Sequence, residues 1–388
     1  MTQALDDFLT QIRSLGTLVR EEVPRFEPRS RRALTTPEIH GLRQIVITGS
    51  GDSYIAAACA APAWRAWTGL PVQAMVSMEA SRYLDLGRPP RSARARGLLV
   101  VAVSSSGEGA RLVEAVQRVR RLDAITLALT ADGGSRLGQA ADKIFDIALP
   151  PSAPAPGVRS YAASLLGLYL LGIRIGEVLM GHTMDEANRL RAALAALAGP
   201  LSRLSQDSEA AIEGHVGRWG TFAAADVLGS GPAWGSAAFA AAKLVEAAGV
   251  HASPQDAEEF HHLNYFVDAP RTVPAIVFAN AGAASAGRTR ELVATLGQLG
   301  RPHLVVGDDP SFAAGDALLP LPAVHEFFAP LLHAVPASLL AAYAAEARAA
   351  VHYRGHSGPW RGAQGAGLVR NSAIETDSRP IGEGTPRC

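Results

Sequence analysis

Three consecutive hydroxyl side chains and a glycine follow a short apolar run in the first half of the chain. Ser104, Ser105, Ser106 and Gly107 come directly after the apolar residues 98–103, and apolar residues at helical spacing follow them. The pattern predicts a strand, a turn and a helix. The first turn of a helix has unpaired N–H groups and partial positive charge, and serine hydroxyls add further donors. The turn therefore predicts a site for a phosphate or another anion, with an ordinary serine N-cap as the alternative.

The elements that position these serines repeat along the chain. Apolar runs alternate with helical patterns, which is typical of a doubly wound parallel sheet. The run at 44–48 ends in Gly49-Ser50-Gly51 and an Ala-rich helix. The pattern restarts at 226–228, which ends in Gly229-Ser230-Gly231 and a second Ala-rich helix. This internal repeat predicts an α/β protein with two tandem αβα units, each with a mostly parallel doubly wound sheet.

Composition supports a large folded chain. The 388 residues are 48% hydrophobic and 19% charged, which suffices for two or three domains with sizeable cores. We place the boundaries at 1–35 for an N-terminal helix and connector, 36–180 for the first unit, 181–204 for a linking helix, 205–355 for the second unit and 356–388 for a C-terminal tail.

Charge and cysteine content exclude several classes of function. The formal net charge is zero, so the sequence predicts neither a nucleic-acid partner nor a membrane partner. The two cysteines, Cys59 and Cys388, form no disulfide or metal pattern. The N-terminus lacks the pattern of a secretory signal, and the apolar stretch at 165–175 is too short to span a bilayer. We therefore expect a cytoplasmic protein.

The motifs, in this order and at this spacing, resemble those of the double SIS (sugar isomerase) proteins, in particular the isomerase domain of glucosamine-6-phosphate synthase. The resemblance covers about residues 36–355 and implies two SIS-type units. The matching segments are Gly51–Tyr54, Ser104–Gly109 and Gly157–Tyr161 in the first half, and Gly229–Glu246 and Glu259–His262 in the second.

The resemblance implies roles in binding a sugar phosphate. The phosphate would be held by Ser53, Ser104, Ser105 and Ser106. The sugar would be contacted by Gly51, Asp52, Val158 and Ser160. The implied ligand is a hexose phosphate or an amino-sugar phosphate.

The resemblance also implies three catalytic residues. Glu246 would move a proton between C1 and C2, Lys243 would lie near the open-chain sugar, and His262 would open the sugar ring, reaching in from the partner subunit of a homodimer. These residue types suit the chemistry. Aldose–ketose interconversion needs a carboxylate near both carbons and a donor to the carbonyl oxygen, and histidine titrates near neutrality. A surface ion pair is the alternative for Lys243 and Glu246.

The chain departs from the family pattern at several positions. Gly109 replaces a threonine that usually helps to bind phosphate, and Asp52 stands where threonine is common, although a carboxylate near a phosphate is unfavourable. Phe239 occupies a position that is usually glutamate. The family's synthase has a lysine in its tail that handles the open-chain carbonyl, whereas residues 356–388 contain none; Asp377–Pro380 matches that tail only loosely. With Thr2 at the second position and no glutaminase domain before the repeat, we expect no use of glutamine.

These observations favour a sugar-phosphate isomerase of the amino-sugar phosphate isomerase or deaminase type, acting through an enediol. Such a mechanism needs no metal or redox cofactor, so we expect none. The group of His251, Glu258, Glu259 and the adjacent histidines fits no standard metal-ligand spacing. The alternatives are a sugar-phosphate-binding regulator without catalysis, and a diverged SIS enzyme of specialised sugar metabolism.

Overall fold

The computed structural model describes residues 3–84, 97–313, 315–350, 360 and 365–376. The chain divides into two compact units, each assembled from separate stretches of sequence. Unit I comprises Glu22–Pro150, Ala163–Arg191 and Ala363–Cys388, and unit II comprises Met1–Glu21, Pro151–Ala162 and Ala192–Gly362.

Each unit contains one five-stranded parallel sheet, as the sequence predicts. The strands of unit I are β1 (Gln44–Gly49), β2 (Val72–Val76), β3 (Leu98–Ser104), β4 (Ile125–Thr130) and β5 (Lys143–Asp146). Those of unit II are β6 (Ala224–Leu228), β7 (His251–Gln255), β8 (Ala275–Phe278), β9 (His303–Gly307) and β10 (Leu318–Pro320).

Helices flank the sheets, because parallel strands need crossover connections. In chain order they are α1 (Gln3–Arg13), α2 (Leu15–Ala33), α3 (Thr36–Gly41), α4 (Asp52–Thr68), α5 (Ser77–Arg82), α6 (Ala110–Arg120), α7 (Arg136–Ala140), α8 (Arg159–Val178), α9 (Met184–Ala196), α10 (Ala198–Asp207), α11 (Glu209–Trp219), α12 (Pro232–Lys243), α13 (Glu259–His262), α14 (Ala286–Gln298), α15 (Ala329–Ala347) and α16 (Gly365–Asn371). A π-helical turn, Leu244–Ala248, continues α12.

The two sheets have the same strand order, which confirms the internal repeat. The order is β2-β1-β3-β4-β5 in unit I and, read in the same direction, β7-β6-β8-β9-β10 in unit II. In each sheet the chain reverses its direction of progress after the second strand, so the crevice lies between β1 and β3 or between β6 and β8. Ligands of doubly wound folds bind at the carboxyl ends of the strands at this switch point.

The turns after β1 and β6 also match in backbone geometry. Gly51 has φ +53° and ψ −131°, and Gly231 has φ +61° and ψ −131°. This region of backbone space is open to glycine and costly for other residues. The two glycines therefore fix the same sharp entry into α4 and α12.

The central strands β3, β4 and β8 are largely apolar because helices cover both faces of a parallel sheet, whereas the edge strand β7 is polar and half-buried. The side chains of β3 from Leu98 to Val103 are all buried. In unit I, Val100 and Val46 pack with Met75 and Ala115 in one cluster. In unit II, Leu228 and Val277 pack with Phe260. The predicted boundaries 36–180 and 205–355 each enclose one complete sheet.

The predicted connector within 1–35 is wrong, because α1 and α2 occupy almost all of this stretch. Pro24 and Pro28 lie inside α2, where proline removes backbone donors. Val19, Val23 and Phe26 are buried at helical spacing, and this burial outweighs the loss.

The predicted linking helix at 181–204 is two helices, α9 and α10. The second begins at Ala198 and places Pro200 in its first turn, where a missing N–H costs nothing.

Among the described residues, α8 alone is long and apolar enough to cross a bilayer by length and composition. Of its most apolar window, 83% is buried inside the protein. Buried helices of folded cores have the same composition, so this helix is weak support for a membrane span.

Candidate functional site

The segment Ser104–Gly109, named here the hydroxyl loop, joins β3 to α6 in unit I. The Ser104 Oγ accepts the N–H of Gly107 at 3.1 Å, and the Ser106 Oγ accepts the N–H of Glu108 at 3.4 Å. Helix α6 has Gly109 as its N-cap and has no side-chain cap. The serines therefore shape the loop itself, and the alternative of an ordinary serine N-cap is wrong.

Gly107 allows the hydroxyl loop to pass close to the neighbouring loop after β4. Its φ is +66°, and a Cβ atom at this position would lie 1.9 Å from the Ser135 Oγ. The Gly107 carbonyl accepts the N–H of Leu137 at 2.9 Å, and the Ser105 carbonyl accepts that of Ala131 at 3.1 Å. Backbone hydrogen bonds on each side of Ser106 therefore hold the loop in place. The Ser106 side chain itself is exposed.

Residues Gly51, Asp52 and Ser53 lie at the same edge of the sheet as the hydroxyl loop. Strand β1 precedes them and pairs in parallel with β3, with Thr48 opposite Ala102. Ser53 is half-buried in the first turn of α4. Asp52 is the first residue of this helix, where negative charge is favourable. The structure therefore places Ser53 and the three loop serines after the carboxyl ends of adjacent strands, at the switch point of unit I.

Lys243 and Glu246 form a close ion pair in unit II. The Lys243 Nζ lies 2.5 Å from the Glu246 Oε2; the lysine side chain is fully buried, whereas 48% of the glutamate side chain is exposed. Glu246 lies in the π-helical turn that follows α12, a geometry often found at functional sites. The alternative of a surface ion pair on a regular helix therefore fits poorly, because the lysine is buried and the glutamate lies in a π-helical turn.

Two stacked aromatic rings connect Lys243 to the segment that contains Val158 and Ser160. The Lys243 Nζ lies 5.2 Å from the centroid of the Phe239 ring. That ring stacks on Tyr161 with centroids 4.0 Å apart and an angle of 15°. Ser160 precedes this tyrosine, and Val158, whose side chain is buried, offers its carbonyl to the N–H of Ala162 at 3.0 Å. Phe239, at the position where the resemblance expects glutamate, therefore contacts both the Lys243 amine and the Tyr161 ring.

The adjacent histidines of α13 have different surroundings. His261 is half-buried, with Nδ1 at 3.0 Å from the Ala257 carbonyl and Nε2 at 3.3 Å from the Thr295 Oγ1. His262 is 63% exposed, and its Nε2 lies 3.2 Å from the Glu258 Oε1. The hydrogen bond from His262, followed by that from Arg288, lowers the pKa of Glu258. The carboxylate thus holds an imidazole that projects from the surface of unit II.

Sequence reasoning missed a buried polar cluster beneath α13. Asp226, in β6, and Arg301, before β9, form an ion pair in which both side chains are at most 5% exposed. The Asn264 Nδ2 donates to the Asp226 Oδ1 at 2.6 Å. The one signal for this cluster in the sequence is an aspartate in the middle of an apolar strand, which demands a buried partner.

The loop after β8 in unit II, which corresponds to the hydroxyl loop, bonds to the protein's own side chains. Asn280, after β8, donates to the Asp308 Oδ2 at 2.9 Å and to the Val324 carbonyl at 3.0 Å. The Asp308 Oδ1 in turn accepts the N–H of Ala281 at 2.7 Å. The N–H groups of Ala281 and Gly282 are thus accepted by Asp308 and Asn280, whereas those of the hydroxyl loop are accepted by serine hydroxyls. A carboxylate beside the loop disfavours an anion there.

The predicted residues thus fall into separate groups. The serines lie in unit I, and Lys243, Glu246 and His262 lie in unit II. Within unit II, Glu246 pairs with Lys243 and His262 with Glu258. Among the described residues, no three His, Cys, Asp or Glu side chains are grouped to hold a metal ion. The tail motif Asp377–Pro380 lies outside the described residues.

Comparisons with known proteins agree with this fold. Residues 38–174 match the SIS domain family. The glutamine–fructose-6-phosphate aminotransferase (isomerizing) of Mycolicibacterium smegmatis is 27% identical over 323 residues, which are 81% of this chain and 50% of that protein. The chain therefore spans about half the length of the curated relatives it matches.

Solved structures resemble most of the chain. The C-terminal domain of glucosamine-fructose-6-phosphate aminotransferase from Francisella tularensis has a TM-score of 0.78 at 17% identity, covering 88% of this chain and 96% of that chain. Glucosamine-6-phosphate deaminase from Thermotoga maritima has a TM-score of 0.69 at 17% identity, covering 90% and 96%. At these identities the likeness shows the fold.

Proposed function

Because this chain contains a SIS domain and resembles SIS proteins over most of its length, we propose that it is a sugar-phosphate isomerase of the amino-sugar phosphate isomerase or deaminase type. Its substrate is a hexose phosphate or an amino-sugar phosphate. The reaction is aldose–ketose interconversion through an enediol, with or without loss or gain of ammonia. The observation that carries the proposal is the combination of an open hydroxyl loop with a buried lysine paired to a half-exposed glutamate.

We assign the binding of the phosphate to the hydroxyl loop and Ser53. Helix α6 starts without a side-chain cap, so its dipole and first-turn N–H groups are available to an anion. Ser104 and Ser106 already accept hydrogen bonds from loop amides, so their hydroxyl protons remain to be donated. Asp52 offers acceptors for sugar hydroxyls.

We assign the proton transfer to Glu246. A carboxylate that is half-exposed reaches substrate, and the contact with the Lys243 amine at 2.5 Å holds it in place. Lys243 also stabilises charge on the carbonyl oxygen as the enediol forms. His262 opens the sugar ring, and a homodimer supplies it from the partner subunit.

A test of this assignment follows deuterium entry from solvent into glucosamine 6-phosphate at C2 and fructose 6-phosphate at C1. We expect exchange by the natural protein and a loss of about 100-fold or more in Glu246→Gln, because general-base catalysis contributes at least that much. The control is Glu21→Gln, an exposed glutamate of α2. Equal exchange rates in the Glu246 variant and the natural protein would remove Glu246 from the chemistry.

A regulator that binds sugar phosphates without turnover is the second candidate. Gly109, which gives α6 a start without a hydroxyl, and the absence of lysine in residues 356–388 favour it. A diverged SIS enzyme with another reaction on a sugar phosphate is the third. Thermal unfolding with a panel of hexose phosphates, run beside activity assays, separates these: stabilisation without turnover of any of them supports the regulator.

A further inference from the structure

The segment that contains His262 is tied down at two points, one on each side of the histidine. On one side, the buried ring of Phe260 lies with its centroid 5.4 Å from the guanidinium of Arg301. On the other, the Asn264 side chain donates to Asp226 at 2.6 Å, and the Asn264 carbonyl accepts from the Arg301 Nη1 at 3.4 Å. His262 lies midway between these anchors.

The anchors belong to one buried network. The Arg301 Nη2 contacts the Asp226 Oδ2, and the Arg301 Nε donates to the Val273 carbonyl at 2.7 Å. The Gln255 Nε2 lies 3.4 Å from the Asn264 Oδ1. A charged pair in the interior of a sheet unit has a large desolvation cost, and one well-supported use of such pairs is structural specificity. Here, Asn264 connects the pair to the segment.

The segment needs this anchoring because it has few contacts of its own. Helix α13 has four residues and ends at His262, and its C-cap residue Leu263 has φ −127° and ψ −78°. Leu263 and Phe266 have exposed fractions of 57% and 73%, so the residues after the helix bury little surface. Short elements with little burial open locally at low cost.

We propose that Asp226 and Arg301 are positioning residues for His262, acting through Asn264 and Phe260. They hold the backbone on both sides of the histidine, while its imidazole stays exposed for ring opening. This inference rests on the function proposed above.

The test compares fructose 6-phosphate with 5-deoxyfructose 6-phosphate, which lacks the C5 hydroxyl and is therefore confined to the open chain. A defect in ring opening slows deuterium entry at C1 of the first substrate and spares the second. We expect Asn264→Ala to lower the first rate about 10-fold and the second less than 2-fold, in line with partial loss of one acid–base catalyst. The control is Asn188→Ala, at an exposed asparagine of α9.

A second variant, Asp226→Leu with Arg301→Met, removes both charges together and keeps apolar packing, which buried pairs often tolerate. We expect the same selective loss. In a His262→Ala background, neither change should lower the rate for fructose 6-phosphate further, because residues acting through one group are not additive. Equal loss on both substrates, no loss, or full additivity with His262→Ala would overturn the positioning role.

Hydrogen exchange separates this inference from the proposed function. We expect the amides of residues 259–266 to exchange at least about 10-fold faster in both variants, because the network limits local opening. Unchanged exchange would overturn the anchoring, whatever the protein catalyses. If the natural protein exchanges deuterium into neither substrate, the proposed function fails, and the amide measurement still decides whether the network anchors this segment.

Discussion

At the scale of single residues, the candidate site depends on a few side chains in unusual settings. Lys243 is fully buried, and its amine is fixed by a carboxylate and an aromatic ring. The sequence contains one other lysine, Lys143, which pairs with Glu38 at 2.8 Å. Every other position with a lysine or an arginine holds arginine, so a buried lysine at position 243 is unusual for this chain. An arginine would replace this compact ammonium group with a larger, planar guanidinium.

Gly107→Ala tests the geometry of the hydroxyl loop. The φ of +66° and the contact of 1.9 Å with the Ser135 Oγ both oppose a methyl group, so the loop must shift. We expect a loss of about 2 kcal/mol or more in unfolding free energy and at least a 10-fold weaker stabilisation by fructose 6-phosphate. Denaturant unfolding with and without the ligand measures both.

Gly217→Ala is the matched control for this change. Gly217 lies inside α11, and a methyl group there meets no atom within 4 Å. We expect about 0.5–1 kcal/mol of added stability, because alanine is the better helix former, and unchanged stabilisation by the ligand. A Gly107 variant that binds the ligand as tightly as this control would contradict the assigned role of the loop.

The sequence was informative about the residues but not about their partners. Apolar periodicity and the Gly-Ser-Gly turns predicted the serines at a strand end, and the sheet confirms that setting. The buried cluster of Asp226, Asn264 and Arg301 was not predicted, because its members lie far apart in the chain and meet only through the sheet. The expected connector is helical instead, because the buried apolar stripe of α2 outweighs the backbone donors that its two prolines lack.

At the scale of elements, helix α6 holds residues 372–376 against unit I. The Glu114 carboxylate is fully buried and receives Arg82, Arg111 at 2.6 Å and the N–H of Glu375 at 2.6 Å. Ile374 packs on the apolar cluster formed by α6 and α7. Helix α6, which starts at the hydroxyl loop, therefore also binds residues 372–376.

Glu114→Gln should release this late segment. Neutral glutamine leaves two guanidinium groups without a buried counter-charge, so we expect a loss of about 2–3 kcal/mol. The amides of residues 372–376 should exchange faster. Glu375→Gln is the control, because its side chain is 63% exposed and its ion pair with Arg82 contributes about 0.5 kcal/mol. Equal exchange in both variants would show that the segment is held by Ile374 instead.

At the scale of the whole molecule, fold class was the most predictable property and the grouping of residues the least. Two successive strand–helix patterns were enough to predict two doubly wound sheets, because each sheet forms from neighbouring stretches of chain. The units are nevertheless discontinuous: residues 1–21 and 151–162 belong to unit II. Such assignments depend on packing over long distances, for which one sequence has no periodic signal.

Stability against acid should depend on His333, which is buried in α15 beside Ser236, with Nδ1 at 2.9 Å from the Ser236 Oγ. Burial lowers the pKa of His333 to about 3. The unfolded chain protonates His333 near pH 6.5, whereas the folded chain does so only near pH 3. Above pH 6.5 the neutral, buried histidine therefore costs no stability. As the pH falls from 6.5 toward 3, the folded state becomes progressively less stable relative to the unfolded state.

His333→Asn therefore should flatten the pH dependence of stability in this range. We expect the variant to be less stable than the natural protein at pH 8, through lost packing, with a difference that shrinks by a few kcal/mol toward pH 4. Urea unfolding at several pH values measures it. His303→Asn, at a half-buried histidine, is the comparison. Parallel curves for the natural protein and the His333 variant would contradict the effect.

The loop after β8 determines how many ligands each chain is expected to bind. Two crevices of the same topology exist per chain, but the loop of unit II has the Asp308 carboxylate on the N–H of Ala281, where the loop of unit I has neutral serine hydroxyls that can donate to an anion. A titration followed by calorimetry should therefore saturate at one sugar phosphate for each polypeptide, so that only one of the two repeated units binds ligand.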